Sequence, residues 1–254
     1  MSTHRFFIEP AAWNLQALTL EEPEAHHCLH VLRLGTGSKV VVFNGKGEEA
    51  NAEITEIEGD RVRLKVLFSG KSNPLRCRTT LAQAIPKGRN MELIVQKATE
   101  LGVAKIVPLI SERTVVDIDS KEGEVKRGKW KQVVIEAAKQ CGQNWIPEVS
   151  LPISTKAFLR DLDRYDASLI ASLQSDSRNF KLVLSDLVSQ LGRPLYSVLM
   201  LIGPEGDFTP AEISQAKSEG CIPVSLGPIV LRTETAAIYS LSVLAYELQA
   251  NTIS

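Results

Sequence analysis

A short apolar run that ends in a glycine-proline loop constrains the fold of this chain more than any other feature. Residues 198–202 read Val-Leu-Met-Leu-Ile, and Gly203-Pro204-Glu205-Gly206 follows directly. A run of this length, stopped by glycine and proline, is typical of a strand buried on both faces of a sheet. Such strands belong to parallel sheets that helices cover on both sides. The sequence therefore predicts an α/β domain around this strand.

A helix start follows the loop. Thr209 is the expected N-cap, Pro210 takes the first helical position, and Glu212 completes a capping box. Gly220 is the expected end of this helix because glycine commonly terminates helices.

A second glycine-proline loop follows the next predicted strand. Residues 224–226 form that strand, which ends at Gly227-Pro228, and a further helix opens at Thr233 and Glu234. Its apolar stripe is predicted to be Ile238, Leu241, Ala245 and Leu248. Ligands bind α/β sheets at the carboxyl ends of the strands. Two such loops at that edge predict the rim of a pocket.

The composition favours a soluble protein and limits how it can bind nucleic acid. With 254 residues, 44% of them hydrophobic, the chain can form one large or two modest cores. No apolar run approaches the roughly 20 residues that span a bilayer, and the first residues lack the apolar region of a signal peptide. We therefore expect a cytoplasmic protein without membrane contact. The net charge of -1 means that any RNA contact must come from a local patch.

Residues 5–68 alternate in polarity and predict a small β-barrel module. Turns that contain glycine separate the predicted strands at residues 5–8, 39–43, 52–57 and 61–68. The spacing of two in the last strand puts three basic side chains on one face, Arg61, Arg63 and Lys65. This row is either a solvated sheet face, which is the commoner case, or part of an RNA-binding surface.

A short helix is predicted at residues 23–32, after the first of these strands. His26 and His30 lie four apart on one face, but no third ligand has a recognised spacing. The four cysteines are scattered without paired spacing. We therefore predict no metal site and no disulfide.

The chain changes character at the polar segment Gly-Lys-Ser-Asn-Pro, residues 70–74, where we place a domain boundary. Strands and helices alternate beyond it. The predicted strands are residues 79–85, 105–110 and 167–173, and the predicted helices are residues 89–101, 128–141 and 180–191. Such alternation is typical of a mostly parallel sheet. We divide the chain into residues 1–72 and residues 73–254.

Familiar nucleotide and catalytic fingerprints are absent from the sequence. No Gly-x-Gly-x-x-Gly follows a predicted strand, and no Walker A spacing occurs. All four histidines lie within the first 30 residues, so no local signature pairs a nucleophile with a histidine base. The second domain must bind its ligand by another device.

Three motifs, taken in order, resemble one known family. The N-terminal motif is Arg5-Phe6-Phe7, His27, Val31-Leu32-Arg33 and Gly35. The middle motif is Lys87-Gly88-Arg89-Asn90-Met91 and Gln96-Lys97-Ala98-Thr99-Glu100-Leu101-Gly102. The C-terminal motif is Gly203-Pro204-Glu205-Gly206, Leu226-Gly227 and Leu231-Arg232-Thr233-Glu234-Thr235-Ala236. Together they resemble the RsmE family of SPOUT-class RNA methyltransferases over nearly the whole chain.

This resemblance implies an α/β fold with an N-terminal PUA-like or OB-like β-barrel and a C-terminal trefoil-knotted SPOUT methyltransferase domain. It further implies a homodimer that uses S-adenosylmethionine to methylate N3 of a uridine in 16S ribosomal RNA of the 30S subunit. We expect the dimer interface on the helix at residues 234–249, because it carries further apolar residues beside its main stripe, Ala237, Val243, Leu244 and Tyr246. Carried over onto this sequence, the cofactor contacts are Leu173, Ile202, Gly203, Glu205, Gly206, Leu226, Gly227, Leu231, Thr235 and Ala236.

The resemblance also suggests residues for chemistry and for RNA binding. Glu205 or Glu234 would take the N3 proton and Arg232 would polarise a uracil carbonyl. Helix-end charge or loop hydrogen bonding would explain both glutamates equally well. The expected RNA contacts are His27, Arg33, Arg61, Arg63, Lys65, Lys87 and Arg89.

Three positions depart from the family pattern. Asp207 stands where glycine is usual, and Gln143 and His30 stand where arginine is common. Asp207 adds a side chain and a negative charge near the expected pocket.

Two other functions remain open, namely a non-catalytic RNA-binding or ribosome-assembly protein with a degenerate knot, and an α/β transferase for a different nucleotide. Cofactor binding and methyl transfer separate the three.

Overall fold

The computed structural model describes residues 4–88, 90–114 and 119–249, which divide into two compact units. The N-terminal unit contains the described residues up to Pro74 together with Ile135–Ile146, and the remaining described residues form the C-terminal unit. Arg89, a predicted RNA contact, lies outside the described residues.

The N-terminal unit is built on a five-stranded sheet. Its strands are β1 (Arg5–Phe7), β2 (Leu18–Leu20), β3 (Lys39–Phe43), β4 (Glu48–Glu58) and β5 (Arg61–Lys71). They follow the order β1-β3-β4-β5-β2, in which β1 pairs parallel with β3 and the other pairs are antiparallel. Apolar side chains from the strands, including Phe6, Leu20 and Ile54, form its core.

The observed strands correct two predictions for this unit. β5 continues through Lys71, because Gly70 and Lys71 still pair with β4, so the polar segment at 70–74 begins inside a strand. β2, of three residues, was not predicted. The alternation in β5 is confirmed, since Arg61 and Arg63 are exposed and Val62 is buried.

Residues 135–146 pack into the N-terminal unit through specific contacts. The indole N–H of Trp145 donates to the Ser72 carbonyl at 3.0 Å. A Cβ on Gly47 would lie 2.6 Å from the Trp145 ring, so only glycine allows this approach. Ile146 packs beside Phe7 in a second, smaller core.

A buried ion pair adds to this packing. The short helix α1 (Glu24–His26) runs into a π-helical turn, His27–Val31, in agreement with the helix predicted at residues 23–32. The Nζ of Lys139 lies 3.1 Å from both carboxylate oxygens of Glu24, and both side chains are 9% exposed. Desolvation raises the pKa of Glu24 above its usual 4.5, although Lys139 opposes the shift.

The C-terminal unit is a parallel sheet with helices. The strands are β6 (Arg78–Ala84), β7 (Lys105–Ile110), β8 (Glu148–Val149), β9 (Ile153–Ser154), β10 (Ala167–Ala171), β11 (Arg178–Asn179), β12 (Ser197–Ile202) and β13 (Ile222–Ser225). The helices are α2 (Asn90–Glu100), α3 (Ser120–Cys141), α4 (Thr155–Arg160), α5 (Phe180–Leu191), α6 (Pro210–Ser218) and α7 (Thr233–Gln249), and α3 contributes residues to both units. The strand order is β11-β13-β10-β12-β6-β7-β8, with β9 beside β7 and every pair parallel.

The central strand and the capped helix agree with the sequence predictions. Val198 through Ile202 of β12 are at most 1% exposed, as expected for a strand covered on both faces. Thr209 and Glu212 form the predicted capping box, with Pro210 at the start of α6.

Several element boundaries differ from the predictions. α3 begins at Ser120 rather than Gly128, since the Asp119 side chain accepts the Glu122 N–H at 2.7 Å and caps the helix. β10 ends at Ala171 and β13 ends at Ser225, which places the following residues in loops. The short elements β8, β9, α4 and β11 were not predicted.

Helix α7 buries a different face from the predicted one. Its buried residues are Thr233, Ala236, Ala237, Ser240, Leu241 and Leu244. Ile238, Ala245 and Leu248, predicted for the apolar stripe, are only half-buried. Small residues on the buried face allow α7 to approach α2 and β6 closely. No helix within the described ranges is long and apolar enough to cross a membrane.

Asp166 fastens together the amino ends of β10 and β12. Its carboxylate accepts the N–H groups of Tyr196 at 2.7 Å and Ser197 at 3.2 Å, and it pairs with the Arg193 guanidinium. The Arg193 hydrogen bonds hold the pKa of Asp166 well below its usual 3.8. These contacts fix the amino ends of β10 and β12 relative to each other.

We predict that replacement of Lys139 by methionine destabilises the protein by about 3–5 kcal/mol at pH 7, because it leaves the buried Glu24 carboxylate without a counter-ion. Neutralisation of both residues, as in the Glu24→Gln/Lys139→Met double variant, should restore most of this loss. The loss should shrink as the pH falls toward 4.5, since a carboxyl whose folded pKa is raised is tolerated when protonated. Urea unfolding at several pH values measures both effects. Equal stability of Lys139→Met and wild type at pH 7 would contradict the prediction.

Candidate functional site

A cavity of about 480 Å³ lies at the carboxyl edge of the C-terminal sheet. Residues that follow β10, β12 and β13 line it, and these strands are adjacent in the order β13-β10-β12. Thr233 and Ala236 of α7 complete the wall. The volume falls in the usual range for small-molecule sites, roughly 300–1,000 Å³.

Both predicted glycine-proline loops face this cavity, but their strands are not neighbours. β10 lies between β12 and β13, and its loop, residues 172–177, supplies Ser172, Leu173 and Gln174 to the lining. Three loops therefore enclose the cavity. The sequence reasoning found only Leu173 of the third loop, because no glycine-proline signal marks it.

Each loop glycine has its own structural reason. A Cβ on Gly203 would lie 3.1 Å from the backbone nitrogen of Phe208, so a side chain there would press on the loop itself. Gly227 has open space around its Cβ position, but its φ of 122° is a conformation that side chains disfavour.

The turn after β12 explains why Asp207 can replace glycine. The Asp207 N–H donates to the Pro204 carbonyl at 3.0 Å, and the residue has a φ of 62°. Glycine takes this left-handed conformation without strain, and aspartate is among the few residues that tolerate it. The Asp207 carboxylate accepts the N–H of Phe208 at 2.8 Å and that of Leu173 at 3.4 Å. It therefore bridges the loops after β12 and β10.

A buried hydrogen-bond chain fixes the carbonyl of Gly203. The Thr233 hydroxyl donates to that carbonyl at 2.7 Å and accepts from Nε2 of Gln83 at 3.0 Å. Nε2 of Gln83 also donates to the Ala84 carbonyl at 2.9 Å. Gln83 is fully buried on β6, and the sequence reasoning did not select it. A glutamine inside an apolar strand was the available signal, because buried polar groups need partners.

Further hydrogen bonds connect the cavity loop to neighbouring strand ends. The Lys87 N–H donates to Oε1 of Glu205 at 2.9 Å. The Arg113 guanidinium donates to the Gly206 carbonyl. The Glu112 N–H donates to Oε1 of the buried Glu212 at 3.1 Å. The loops after β6, β7 and β12 thus form one connected edge that carries basic side chains.

Most of the predicted cofactor residues lie together. Those that line the cavity are Leu173, Ile202, Gly203, Glu205, Leu226, Gly227, Leu231 and Ala236. Gly206 and Thr235 are exposed and are not among the lining residues. Arg232 is exposed and Glu234 is half-buried, and they flank Thr233 without lining the cavity themselves.

The cavity lining is acidic. Its charged residues are Glu205 and Asp207, and no Lys, Arg or His is among the lining residues. The part of the chain that the structure describes also contains no group of three or more His, Cys, Asp or Glu that could hold a metal ion. A ligand for this cavity is therefore held by backbone groups, apolar contacts and negative charge.

The basic row of β5 faces an acidic row on β4. Lys65 pairs in register with Glu53, and Arg63 forms ion pairs with Glu56 at 3.4 Å and Glu58 at 3.0 Å. Arg61 lies 3.4 Å from Glu21. Period-two spacing revealed the arginines but not the opposing carboxylates, which reduce the positive potential of this face.

The other predicted RNA contacts differ in exposure. Arg33 is exposed, with a φ of 55°, and Lys87 is exposed beside the cavity loop. His27 is half-buried, edge-on to Phe6 with ring centroids 6.1 Å apart. Desolvation, with a smaller effect of Lys139, lowers the pKa of His27 below its usual 6.5, so the ring is mostly neutral at pH 7. The rings of His26 and His30 lie 4.9 Å apart.

Comparison with family models identifies both parts of the chain. Residues 73–245 match an RNA methyltransferase domain. Residues 20–67 match an RNA methyltransferase PUA domain. These matches confirm the predicted pairing of a PUA-like domain with an α/β methyltransferase domain.

Similar proteins span the same length. The chain is 31% identical to the ribosomal RNA small subunit methyltransferase E of Bacillus subtilis, over 96% of each chain. A Legionella pneumophila structure with bound SAM superimposes with a TM-score of 0.87 at 35% identity and covers 97% of this chain and 98% of the other. The structure of ribosomal RNA small subunit methyltransferase E from Neisseria gonorrhoeae, bound to S-adenosyl methionine, gives a TM-score of 0.85 at 29% identity. The match covers 99% of this chain and 100% of that chain.

The cavity geometry, the two matched domains and the full-length relatives agree with one another. On this evidence the chain belongs to the RsmE family, the ribosomal RNA small subunit methyltransferase E proteins.

Proposed function

We propose that this chain transfers a methyl group from S-adenosylmethionine to N3 of a uridine in 16S ribosomal RNA, acting on the assembled 30S subunit in the cytoplasm. The observation that carries the proposal is the 480 Å³ cavity, which three strand-end loops enclose. Its size and acidic lining suit a cationic nucleoside of this kind. A non-catalytic function is not favoured, because the loops are intact and the full-length relatives are methyltransferases.

The residues present fit the cofactor. We propose contacts from Leu173, Ile202, Gly203, Glu205, Gly206, Leu226, Gly227, Leu231, Thr235 and Ala236. The exposed apolar side chains of Ile229 and Val230 offer surface for an adenine ring, and Gln174 adds a polar group. Thr233 holds the Gly203 carbonyl in a fixed direction and so shapes the wall before the ligand arrives.

The chemistry needs a nucleophilic nitrogen and an electrophilic methyl group. The bound cofactor supplies the methyl group. The protein must hold the uracil in line and assist removal of the N3 proton. Glu205 already accepts the Lys87 N–H, so we assign it a positioning role at the rim. Glu234 is left as the better candidate base, and Arg232 beside it is placed to stabilise negative charge on a uracil carbonyl.

We expect the protein to methylate isolated 30S subunits that lack the modification, and mass mapping of the RNA to place the methyl group on N3 of a uridine. Glu234→Gln should lower kcat by about 10²-fold or more, with little change in the Kd for S-adenosylmethionine, since it removes a proton acceptor and not a cofactor contact. Glu219→Gln, at the exposed end of α6, serves as a matched control.

Cofactor binding without methyl transfer by the wild-type protein would support the non-catalytic alternative. No binding of S-adenosylmethionine at all would favour a transferase for another nucleotide. Either result would contradict the proposed function.

We further propose a division of labour between residues 1–72, which bind RNA, and residues 73–254, which bind the cofactor and perform the transfer. His27, Arg33, Arg61, Arg63, Lys65, Lys87 and Arg89 are the proposed RNA contacts. Arg33 is the stronger candidate in the N-terminal unit, because carboxylates oppose Arg61 and Arg63. Lys87 extends the contact to the cofactor loop through Glu205.

Charge reversal at Arg33 should weaken binding to 30S subunits about tenfold and flatten its salt dependence, because one phosphate contact is replaced by repulsion. Arg63→Glu should have a smaller effect, since Glu56 and Glu58 already offset that charge. Arg164→Glu, before β10 at the amino edge of the sheet, is the control. Filter binding across a salt titration measures the effect. Unchanged 30S affinity, or a loss of S-adenosylmethionine binding, would contradict the assignment.

We also propose that the chain forms a homodimer through α7 and that its cofactor loops form the trefoil knot implied by the resemblance. Tyr239 and Tyr246 of α7 are 45% and 74% exposed, and with Phe180 they line a second cavity of about 410 Å³. This cavity adjoins the loop at Leu226 and Gly227. Ala237 and Leu244, expected at such an interface, are buried in the unit's own core. An experimental tracing of the chain tests the knot.

Light scattering at micromolar concentration should show a dimer. Tyr246→Glu should raise the dimer dissociation constant about tenfold or more, since it places a charge in an apolar interface. Leu151→Glu changes an exposed apolar residue that follows β8 and should have no effect. A wild-type monomer would disprove the dimer.

A further inference from the structure

The charge of the cavity wall comes from two carboxylates with different surroundings. Glu205 accepts the Lys87 N–H at 2.9 Å and is exposed at the outer rim. The Asp207 carboxylate likewise accepts only backbone amides, those of Leu173 and Phe208, but Asp207 is half-buried, so its charge is less exposed to solvent than that of Glu205. Among the described residues, none of the ion pairs involves Asp207. Its negative charge therefore faces the cavity without a counter-ion.

We propose that Asp207 is a specificity-determining residue, which makes the cavity favour the sulfonium cofactor over its demethylated product. The proposal rests on the proposed function. In methyl transfer the bond between sulfur and the methyl carbon breaks, and its electron pair stays on sulfur. The N3 electron pair, freed by loss of the N3 proton, forms the new bond to that carbon. The sulfur thus changes from a cation to a neutral thioether, and an anionic wall attracts the first form more strongly.

The position of Asp207 makes this charge effective. One carboxylate oxygen lies 3.2 Å from the place that a Cβ on Gly203 would occupy, and Gly203 itself lines the cavity. The carboxylate is thus held between the loops after β10 and β12, partly shielded from solvent. Charges interact more strongly where water is partly excluded. A glycine at this position would keep the turn at φ 62° and lack the charge.

Titration calorimetry with S-adenosylmethionine and S-adenosylhomocysteine tests the inference. Asp207→Asn removes the charge and keeps the shape, the tolerance of the left-handed conformation and one oxygen acceptor for the Phe208 N–H. The 3.4 Å hydrogen bond from Leu173 is lost with the charge, and this loss affects both ligands alike, so the ratio of the two affinities is the readout. We expect it to weaken S-adenosylmethionine binding about three- to tenfold and to change S-adenosylhomocysteine binding less than about twofold. Asp163→Asn makes the same change in net charge at an exposed site before β10 and should alter neither affinity.

A salt titration of the wild-type protein provides a test that needs no substitution. Between about 0.05 and 0.5 M NaCl, its preference for S-adenosylmethionine should decline, because salt screens a partly exposed charge. In Asp207→Asn the preference should be smaller and should vary less with salt. Circular dichroism checks that each variant is folded, and Asp207→Gly, which relieves the left-handed backbone, replaces Asn if that variant unfolds.

The outcomes separate the two proposals. If the wild-type protein binds neither ligand, the proposed function is wrong. If it binds S-adenosylmethionine but Asp207→Asn leaves the ratio of the two affinities unchanged, the role of Asp207 is wrong and the function stands. A wild-type preference that is independent of salt would also overturn that role.

Discussion

Complete burial of β12 is the constraint on which the C-terminal unit depends. Val198 through Ile202 are at most 1% exposed, and β12 lies inside the sheet between β10 and β6. Its neighbours β10 and β6 both pair with it in parallel, so the carboxyl ends of the three strands reach one edge. Asp166 fixes the opposite edge through Tyr196 and Ser197. The loops that follow β10, β12 and β13 leave the sheet at the carboxyl edge, and the cavity lies between them.

Hydrogen bonds within that edge prepare the site before a ligand arrives. The buried Gln83 side chain donates to the Thr233 hydroxyl, and that hydroxyl donates to the Gly203 carbonyl. These two hydrogen bonds fix the direction of the carbonyl. Such preorganisation lowers the ordering cost of binding. Glu205 connects the same loop to the backbone of Lys87, so a proposed cofactor contact and a proposed RNA contact are joined by one hydrogen bond.

Sequence patterns predicted the features that depend on neighbouring residues. They missed the contacts between residues that lie far apart in the chain. The apolar run of β12 and the capping box at Thr209 follow from local chemistry, and both are confirmed. The predicted cofactor contacts were chosen by resemblance, and the structure brings most of them together around the cavity. Gln83 and Thr233 are 150 positions apart, so no local pattern links them. The glutamates opposite Arg63 also escaped notice, because cross-strand register is set by pairing that a single strand does not reveal.

The segment Ile135–Ile146 belongs to the N-terminal unit, although Leu75–Val134 of the C-terminal unit separate it in sequence from Pro74, where the rest of the N-terminal unit ends. Trp145 fills the space above Gly47, and Lys139 supplies the counter-ion of Glu24. During synthesis this unit therefore cannot complete its core when its own strands leave the ribosome. It must wait until Ile146 has emerged, by which time β6 and β7 of the other unit are available to pair. The order of translation thus couples the folding of two units that family models describe as separate domains.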